Sequence, residues 1–366
     1  MSLDTVIQAL QRHGALSRAD LSRVTGLSKP TISHTIERLY QRDLVVEQLP
    51  LSQGQVGRPR TLLRLNSKQW AVAAIDLGGT QIRLSVGDAS GQHLHRLAFK
   101  TNATLTAQQL IALIQRGLRE AVAAVSIPFE ALKTVVLGLP GVVDPDTGAL
   151  NFVPNLPHLE GVPLFELLSR HFPFPFLIEN DVNLAAYGQH LQSGDLRSSI
   201  FLGIGTGLGV GVVLNSEVHS GHRGRAGEIG YVPYGHGTIE DIVSGAGLQA
   251  AYQARTGQWR DAHFILGAAN SNADARAVTD TFLAGLAWLL GLLSVSYDPE
   301  CIFLGGGVGL HLPVDLNAVS IQIFKQFPFT VPLAISSLGD DAALCGGLIK
   351  AARVSAEQIL STLENA

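Results

Sequence analysis

A carboxylate that closes an apolar strand and opens a helix is placed as a general base would be, and Asp181 in FLIENDVNLAA (Phe176 to Ala186) stands in that position. Such a base would take a proton from a sugar hydroxyl attacking a γ-phosphate. Glu179 and Asn180 emerge beside it. Asn180 and Asp181 are equally suited to plain N-capping of the helix that follows, and spacing leaves both readings open. Phosphate-holding chemistry is written elsewhere. In AIDLGGTQIRLSV (Ala74 to Val86) a β-run ends in Asp76, then Gly78, Gly79 and Thr80 lead into a second strand. Glycines let backbone N–H groups approach an anion, a Thr hydroxyl adds a donor, and the strand-end acid can hold Mg²⁺ through water. GIGTGLGVG repeats the design around Gly205 and Thr206, and CIFLGGGVGL supplies Gly305, Gly306 and Gly307 at the end of a third β-run. Neither the Walker A nor the Rossmann fingerprint fits, because no Gly-Lys-Ser/Thr occurs and the turns join strand to strand.

The elements that must carry these turns follow from periodicity. Strands are expected at 71–76, 81–87, 200–205 and 208–214. A helix over Thr106 to Val125 keeps Leu110, Ile114, Leu118, Val122 and Val125 in register to cover one sheet face. A long apolar helix is expected from about Ala275 to Tyr297, and a closing helix from Ala342 to Leu363. The longest greasy run, Phe282 to Leu293, is short of the ~18 residues a membrane span needs, and no signal peptide is read at the N-terminus. Cys301 and Cys345 stand far apart in apolar contexts, which suits a reduced, cytoplasmic protein without a disulfide framework.

The formal net charge of −4 hides an asymmetry. Residues 1–66 carry about nine Lys/Arg against five Asp/Glu, and the remainder about 17 against 25. A basic head on an acidic body suits a head that meets a polyanion. Within it, Val6, Ile7 and Leu10 stripe a first helix. Ser17-x-x-Asp20 resembles a capping box opening a second helix, with Leu21 and Val24 facing inward. Thr25-Gly26-Leu27 is a turn, Ser28 caps a third helix, and Pro30 sits in its first turn. Ile32, Ile36, Leu39 and Tyr40 form the buried stripe of that helix. Thr31, His34 and Arg38 then point outward, with Ser28, Lys29 and Ser33 at the exposed N-terminal end, as a recognition helix in a major groove requires. Strands at 44–48 and 61–65 flank GQVGRPR, whose Arg58 and Arg60 give a basic wing tip for a minor groove or phosphates. A three-helix packing module is the bland alternative; it leaves the capped third helix and basic wing unexplained.

In order and spacing, DLGGT, GLPGVVDP, ENDVN, GIGTGLGVG, AGEIG and LGGGV, behind a head that exits through GRPRTLLRLN, resemble the ROK family (repressor, open reading frame, kinase) over nearly the whole chain. The resemblance implies an α/β fold, an N-terminal winged helix-turn-helix plus two actin-like ATPase (ribonuclease H-like) half-domains around a cleft. The bounds expected are 1–66 for the head, 67–184 and 185–345 for the half-domains, and 346–366 for a C-terminal helix returning to the first. The resemblance implies Asp181 as catalytic base. It puts Asn155, Asn180, Asp181, Glu228 and Glu240 on sugar hydroxyls, Gly78, Gly79, Thr80, Gly205 and Thr206 on phosphates, and Gly305 to Gly307 near adenosine.

The chain departs from the family pattern where a histidine and a three-cysteine loop commonly hold structural zinc. Tyr231 takes the histidine position and VPYGHGTIED (Val232 to Asp241) contains no cysteine, so no metal is expected there. Tyr231 still offers one hydrogen bond to a sugar. Gln81 stands where many family kinases have lysine. Two functions survive. One is a sugar-responsive transcriptional regulator, usually a repressor, whose partners are double-stranded operator DNA, a sugar or sugar-phosphate effector, and a second copy in a dimer or dimer of dimers. The other is an ATP- and Mg²⁺-dependent kinase of a hexose or amino sugar with an added DNA-binding head. The regulator needs no cofactor, and neither reading involves a membrane.

Overall fold

The computed structural model describes residues 2–48, 61–153, 155–194, 196–312, 316–329 and 331–364. It divides into two compact units, Met1–Glu179 with Gly347–Ala366, and Asn180–Gly346.

The first unit opens with α1 (Ser2–His13), α2 (Arg18–Thr25) and α3 (Lys29–Tyr40), followed by β1 (Val45–Gln48) and β2 (Leu62–Leu65). The two strands pair antiparallel, Val45 opposite Leu65, and Leu16 exchanges both backbone hydrogen bonds with Leu63, tying the wing to the helices. Ser17 Oγ accepts from the Asp20 N–H at 3.2 Å and donates to the Asp20 carboxylate, so the α2 N-terminus is capped as its sequence suggests. Gly26 ends α2 in the left-handed region, φ 71°. The head core is Leu3, Val6, Ile7, Leu10, Leu21, Ile32, Ile36 and Leu39. Val24 is not in it: the expected inward side chain is 44% exposed. An eight-residue helix presents little more than one inward stripe, and Leu21 fills it.

The body of this unit is a five-stranded sheet, β5-β4-β3-β6-β9, built from β3 (Ala71–Leu77), β4 (Gln81–Asp88), β5 (His93–Lys100), β6 (Leu132–Leu139) and β9 (Phe176–Asn180). Between β6 and β9 lie the short pair β7 (Val142–Val143) and β8 (Leu150–Asn151) and helix α5 (Leu164–His171). Helix α4 (Ala107–Ala124) lays Leu110, Ile114, Leu118 and Val122 into the core, and Thr106 with Gln109 completes a reciprocal capping box. The C-terminal helix α12 (Ala342–Glu364) packs so closely that a Cβ on Gly347 would lie 2.8 Å from the Ala74 Cβ.

The second unit begins with α6 (Asp181–Gln192) and holds the sheet β12-β11-β10-β15-β16, from β10 (Ser198–Ile204), β11 (Leu208–Leu214), β12 (Glu217–Val218), β15 (Ile302–Gly305) and β16 (Leu333–Ile335). A hairpin of β13 (Pro233–Tyr234) and β14 (Gly237–Thr238) follows β12. Helices α7 (Gly245–Thr256), α8 (Ala262–Ala268), α9 (Ala273–Tyr297), α10 (Gly306–Gly309) and α11 (Leu316–Phe324) complete it. Helix α9 is longer than its greasy run: at 25 residues it is long and apolar enough to cross a membrane, yet 61% of its most apolar window is buried. Phe282, Leu286, Leu289, Leu290 and Leu293 make it the core helix of this unit.

The sequence reading puts the joint between half-domains at 184/185, whereas the units part at Glu179/Asn180. Helix α6 belongs wholly to the second unit because it packs on β11: a Cβ on Gly211 would lie 2.5 Å from the Val182 carbonyl oxygen.

Candidate functional site

The surface expected to meet DNA is built on α3. Ser28 caps it, accepting from the Thr31 N–H at 3.3 Å, and the two hydroxyls share a hydrogen bond of 2.7 Å. Ser28, Lys29, Ser33 and His34 are exposed, and Thr31 and Arg38 are half-buried, while Ile32, Ile36 and Leu39 form the buried stripe. Capping uses one lone pair of Ser28, so its hydroxyl anchors the N-terminal turn as well as facing outward. Arg58 and Arg60 lie outside the described residues. One basic residue escaped the sequence reading: Arg64 on β2 is exposed between buried Leu63 and Leu65, on the outer face of the wing. The period-two alternation of LLRL was the available signal.

In the first unit, the Gly78–Thr80 turn closes the β3–β4 hairpin. The Gly78 N–H donates to the Gln81 carbonyl at 2.8 Å, and Thr101 holds the turn from the far side through Gly78 and Thr80. Thr80 and Asn155 are exposed, and Asn155 comes up against Gly79, where an added Cβ would stand 3.4 Å from the Asn155 Cβ. Two elements assigned separately from sequence, the phosphate turn and the sugar asparagine, are thus neighbours. Asp76 is 4% exposed and is engaged by the Arg83 guanidinium, whose Nε donates to Oδ2 at 3.0 Å while an Nη donates to the same oxygen. Arg83 is the second residue missed from sequence; hairpin register places it directly opposite Asp76.

In the second unit, Asn180 caps α6 by accepting from the Asn183 N–H at 3.0 Å, and Asp181 accepts from the Val182 N–H at 2.8 Å. The capping alternative is therefore realised for Asn180, while Asp181 remains half-buried at the helix start. Glu240 accepts from the Leu208 N–H at 2.8 Å, immediately after the Gly205–Thr206–Gly207 turn. That turn is held again by the start of α7, where the Gly245 and Ala246 N–H groups donate to the Gly205 and Thr206 carbonyls. Parallel pairing of Gly203 with Gly305 brings Gly306 and Gly307 beside the same strand end. Gly227 has φ 92°, and a Cβ there would lie 2.0 Å from the Val210 carbonyl oxygen, so only glycine admits the turn that delivers Glu228. Burial, and secondarily the Glu240 carboxylate, push the Glu228 carboxyl above the usual carboxylate range. Tyr231 is 55% exposed just beyond. This unit gathers Glu228, Glu240 and the second and third glycine clusters on one framework. Among the described residues no group of three or more His, Cys, Asp or Glu side chains is placed to hold a metal ion.

A site of donor-rich turns beside carboxylates can hold polyhydroxylated or anionic ligands. The ROK family profile matches residues 72–353, and a winged helix-turn-helix DNA-binding profile matches residues 5–46. The xylose repressor of Bacillus subtilis (strain 168) is 25% identical over 368 residues, covering 93% of this chain and 92% of that protein. The N-acetylmannosamine kinase of Shigella boydii serotype 18 is 32% identical over 292 residues, covering 76% of this chain and 97% of the kinase. Among solved structures, a ROK family transcriptional regulator described as a homologue of the E. coli MLC protein shares the fold with a TM-score of 0.78 at 21% identity, over 99% of this chain and 98% of that one.

Proposed function

The chain belongs to the ROK family, and on that footing we propose that it is a DNA-binding transcriptional repressor of carbohydrate genes, released from its operator by a sugar or sugar phosphate held in the body. The observation that carries this is the winged helix-turn-helix, capped, exposed on its polar face and continuous with a family body. A chain that only phosphorylated sugars would have no use for α3. Likeness to a xylose repressor over 93% of the chain supports the same reading.

In this reading Lys29, Thr31, Ser33, His34 and Arg38 meet base edges, Ser28 fixes the helix start, and Arg58, Arg60 and Arg64 meet phosphates. Asn155, Asn180, Asp181, Glu228, Tyr231 and Glu240 bind sugar hydroxyls, each carboxylate accepting from two of them. Gly78, Gly79, Thr80, Gly205, Thr206 and Gly305 to Gly307 bind phosphate groups of an effector or nucleotide. The effector works by binding one conformation of the body more tightly than another. The protein acts as a dimer in the cytoplasm, where paired heads meet paired half-sites.

The second reading is a working sugar kinase with a head, with Asp181 as base; 32% identity to an N-acetylmannosamine kinase favours it. A coupled phosphotransfer assay over xylose, glucose and N-acetylmannosamine, run beside DNA-release titrations with the same sugars, separates the two. Release of DNA without turnover is the expected result. Turnover abolished by Asp181→Asn, with DNA binding indifferent to every sugar, would replace the repressor with the kinase.

A further inference from the structure

We infer that Arg83 stands in for the cation at the first glycine turn, so that Asp76 recruits no Mg²⁺ and this chain meets nucleotide phosphates, if at all, without a metal at that carboxylate. The inference deepens the regulator reading and rests on it in one respect: it takes the body as a binding device rather than a phosphotransfer centre.

Three observations carry it. The β3–β4 hairpin pairs Asp76 directly with Arg83 across the ladder, so their side chains leave the sheet on the same face at neighbouring-strand distance. The guanidinium lies side-on to one carboxylate oxygen, Nε and an Nη both donating to Oδ2. The carboxylate side chain is only 6% exposed and the arginine 23%, so the pair is largely withdrawn from water. In such a place the charges are worth far more to each other than on a surface, and separating them leaves one uncompensated.

Mg²⁺ asks for something different. It keeps an octahedral shell, retains several waters and leans on a carboxylate with lone pairs turned toward those waters and the phosphates. Asp76 offers instead an oxygen already saturated by two N–H donors and a fixed positive charge beside it. A divalent cation brought to this carboxylate would stand against the guanidinium's positive charge and have to hydrate a largely closed space. The residues present do not fit the metal. They fit a neutral, metal-independent ion pair at the end of β3. Gln81, exposed where family kinases commonly carry lysine, removes a second positive group from the same turn.

The test uses the full chain and ATP as probe. Binding is followed by calorimetry and by thermal midpoint, with excess Mg²⁺ and with EDTA, for the native chain, Arg83→Ser and Asp76→Asn. Mg²⁺ should change the ATP affinity of the native chain and of Asp76→Asn by the same factor, and Arg83→Ser should gain a Mg²⁺-dependent tightening of tenfold or more. Should Arg83→Ser fail to fold, the native chain and Asp76→Asn still decide. A Mg²⁺-dependent tightening that survives Asp76→Asn puts the metal elsewhere, as inferred. A tenfold Mg²⁺ gain in the native chain that Asp76→Asn abolishes overturns the inference. Operator release by sugar is measured without nucleotide, so failure here and failure of the repressor reading are told apart.

Discussion

Single side chains divide the labour between reading DNA, holding ligand and holding the fold. Arg38→Ala should relax base preference at one operator position, a loss of about 1–3 kcal/mol in discrimination seen by comparing operator variants in a binding titration. Arg64→Ala should weaken binding on all sequences alike and lower the salt-dependence slope by about one. Glu228 carries a pH signature. Its carboxyl is raised in the folded chain by burial first and Glu240 second, so between its ordinary and raised values the folded state keeps a proton that the unfolded chain has lost. Stability is therefore unpenalised below the ordinary carboxylate range and falls as pH climbs through the window above it. Glu228→Gln should remove that part of the decline, so the variant's thermal midpoint gains on the native one as pH rises from acid to neutral; a constant difference would contradict the assignment. The polar face of α3 was legible in the sequence because helix period alone sorts Ile32, Ile36 and Leu39 from Lys29, Ser33 and His34. Arg83 was not, because its role depends on hairpin register, and a Gly-Gly turn does not declare which residue faces Asp76.

Helices and turns place these residues through contacts that composition does not reveal. Helix α4, the β10–β11 hairpin and the closing helix follow from local patterns, and their boundaries in the structure sit within a few residues of expectation. The seating of the head on the body does not follow. Gln11 on α1 donates to the Ala89 carbonyl at 2.9 Å and the Ala352 carbonyl at 3.0 Å, while Trp70 Nε1 donates to Ser355 Oγ at 2.8 Å in full burial. All three bonds join segments more than seventy residues apart, and all land on or beside α12. Gln11→Ala should cost about 1–3 kcal/mol, at roughly 0.5–1.5 per bond. Calorimetry should show the head melting as a separate, earlier transition, whereas Gln8→Ala, whose bond to Asp4 is exposed, should leave one profile. Gly227→Ala meets a worse fate, since a Cβ at 2.0 Å from the Val210 oxygen cannot be absorbed by rotating a side chain. Its expected outcome is loss of the turn bearing Glu228, read as weakened sugar binding with the α3 surface intact.

At the scale of the whole chain, the combination of parts speaks louder than any one of them. A capped third helix in the head, two sheets with glycine turns at their strand ends, and family likeness running from residue 72 to 353 describe a ROK-family body joined to a DNA-binding head. The acid–base asymmetry between head and remainder was visible in composition, and it agrees with a head that meets DNA while the body stays off it. The identity of the sugar was not visible, because discrimination among hexoses and pentoses rests on which hydroxyls a binding side chain reaches, and residue types alone do not encode that reach. The most direct measurement is fluorescence anisotropy of a genomic fragment selected by the full chain, titrated with protein in the presence of xylose, glucose or N-acetylmannosamine. The account predicts that one of these sugars raises the dissociation constant at least tenfold and that Glu240→Gln blunts the rise while leaving sugar-free affinity unchanged. Equal affinity for the fragment under every sugar, at concentrations where calorimetry shows the sugar bound, would contradict it.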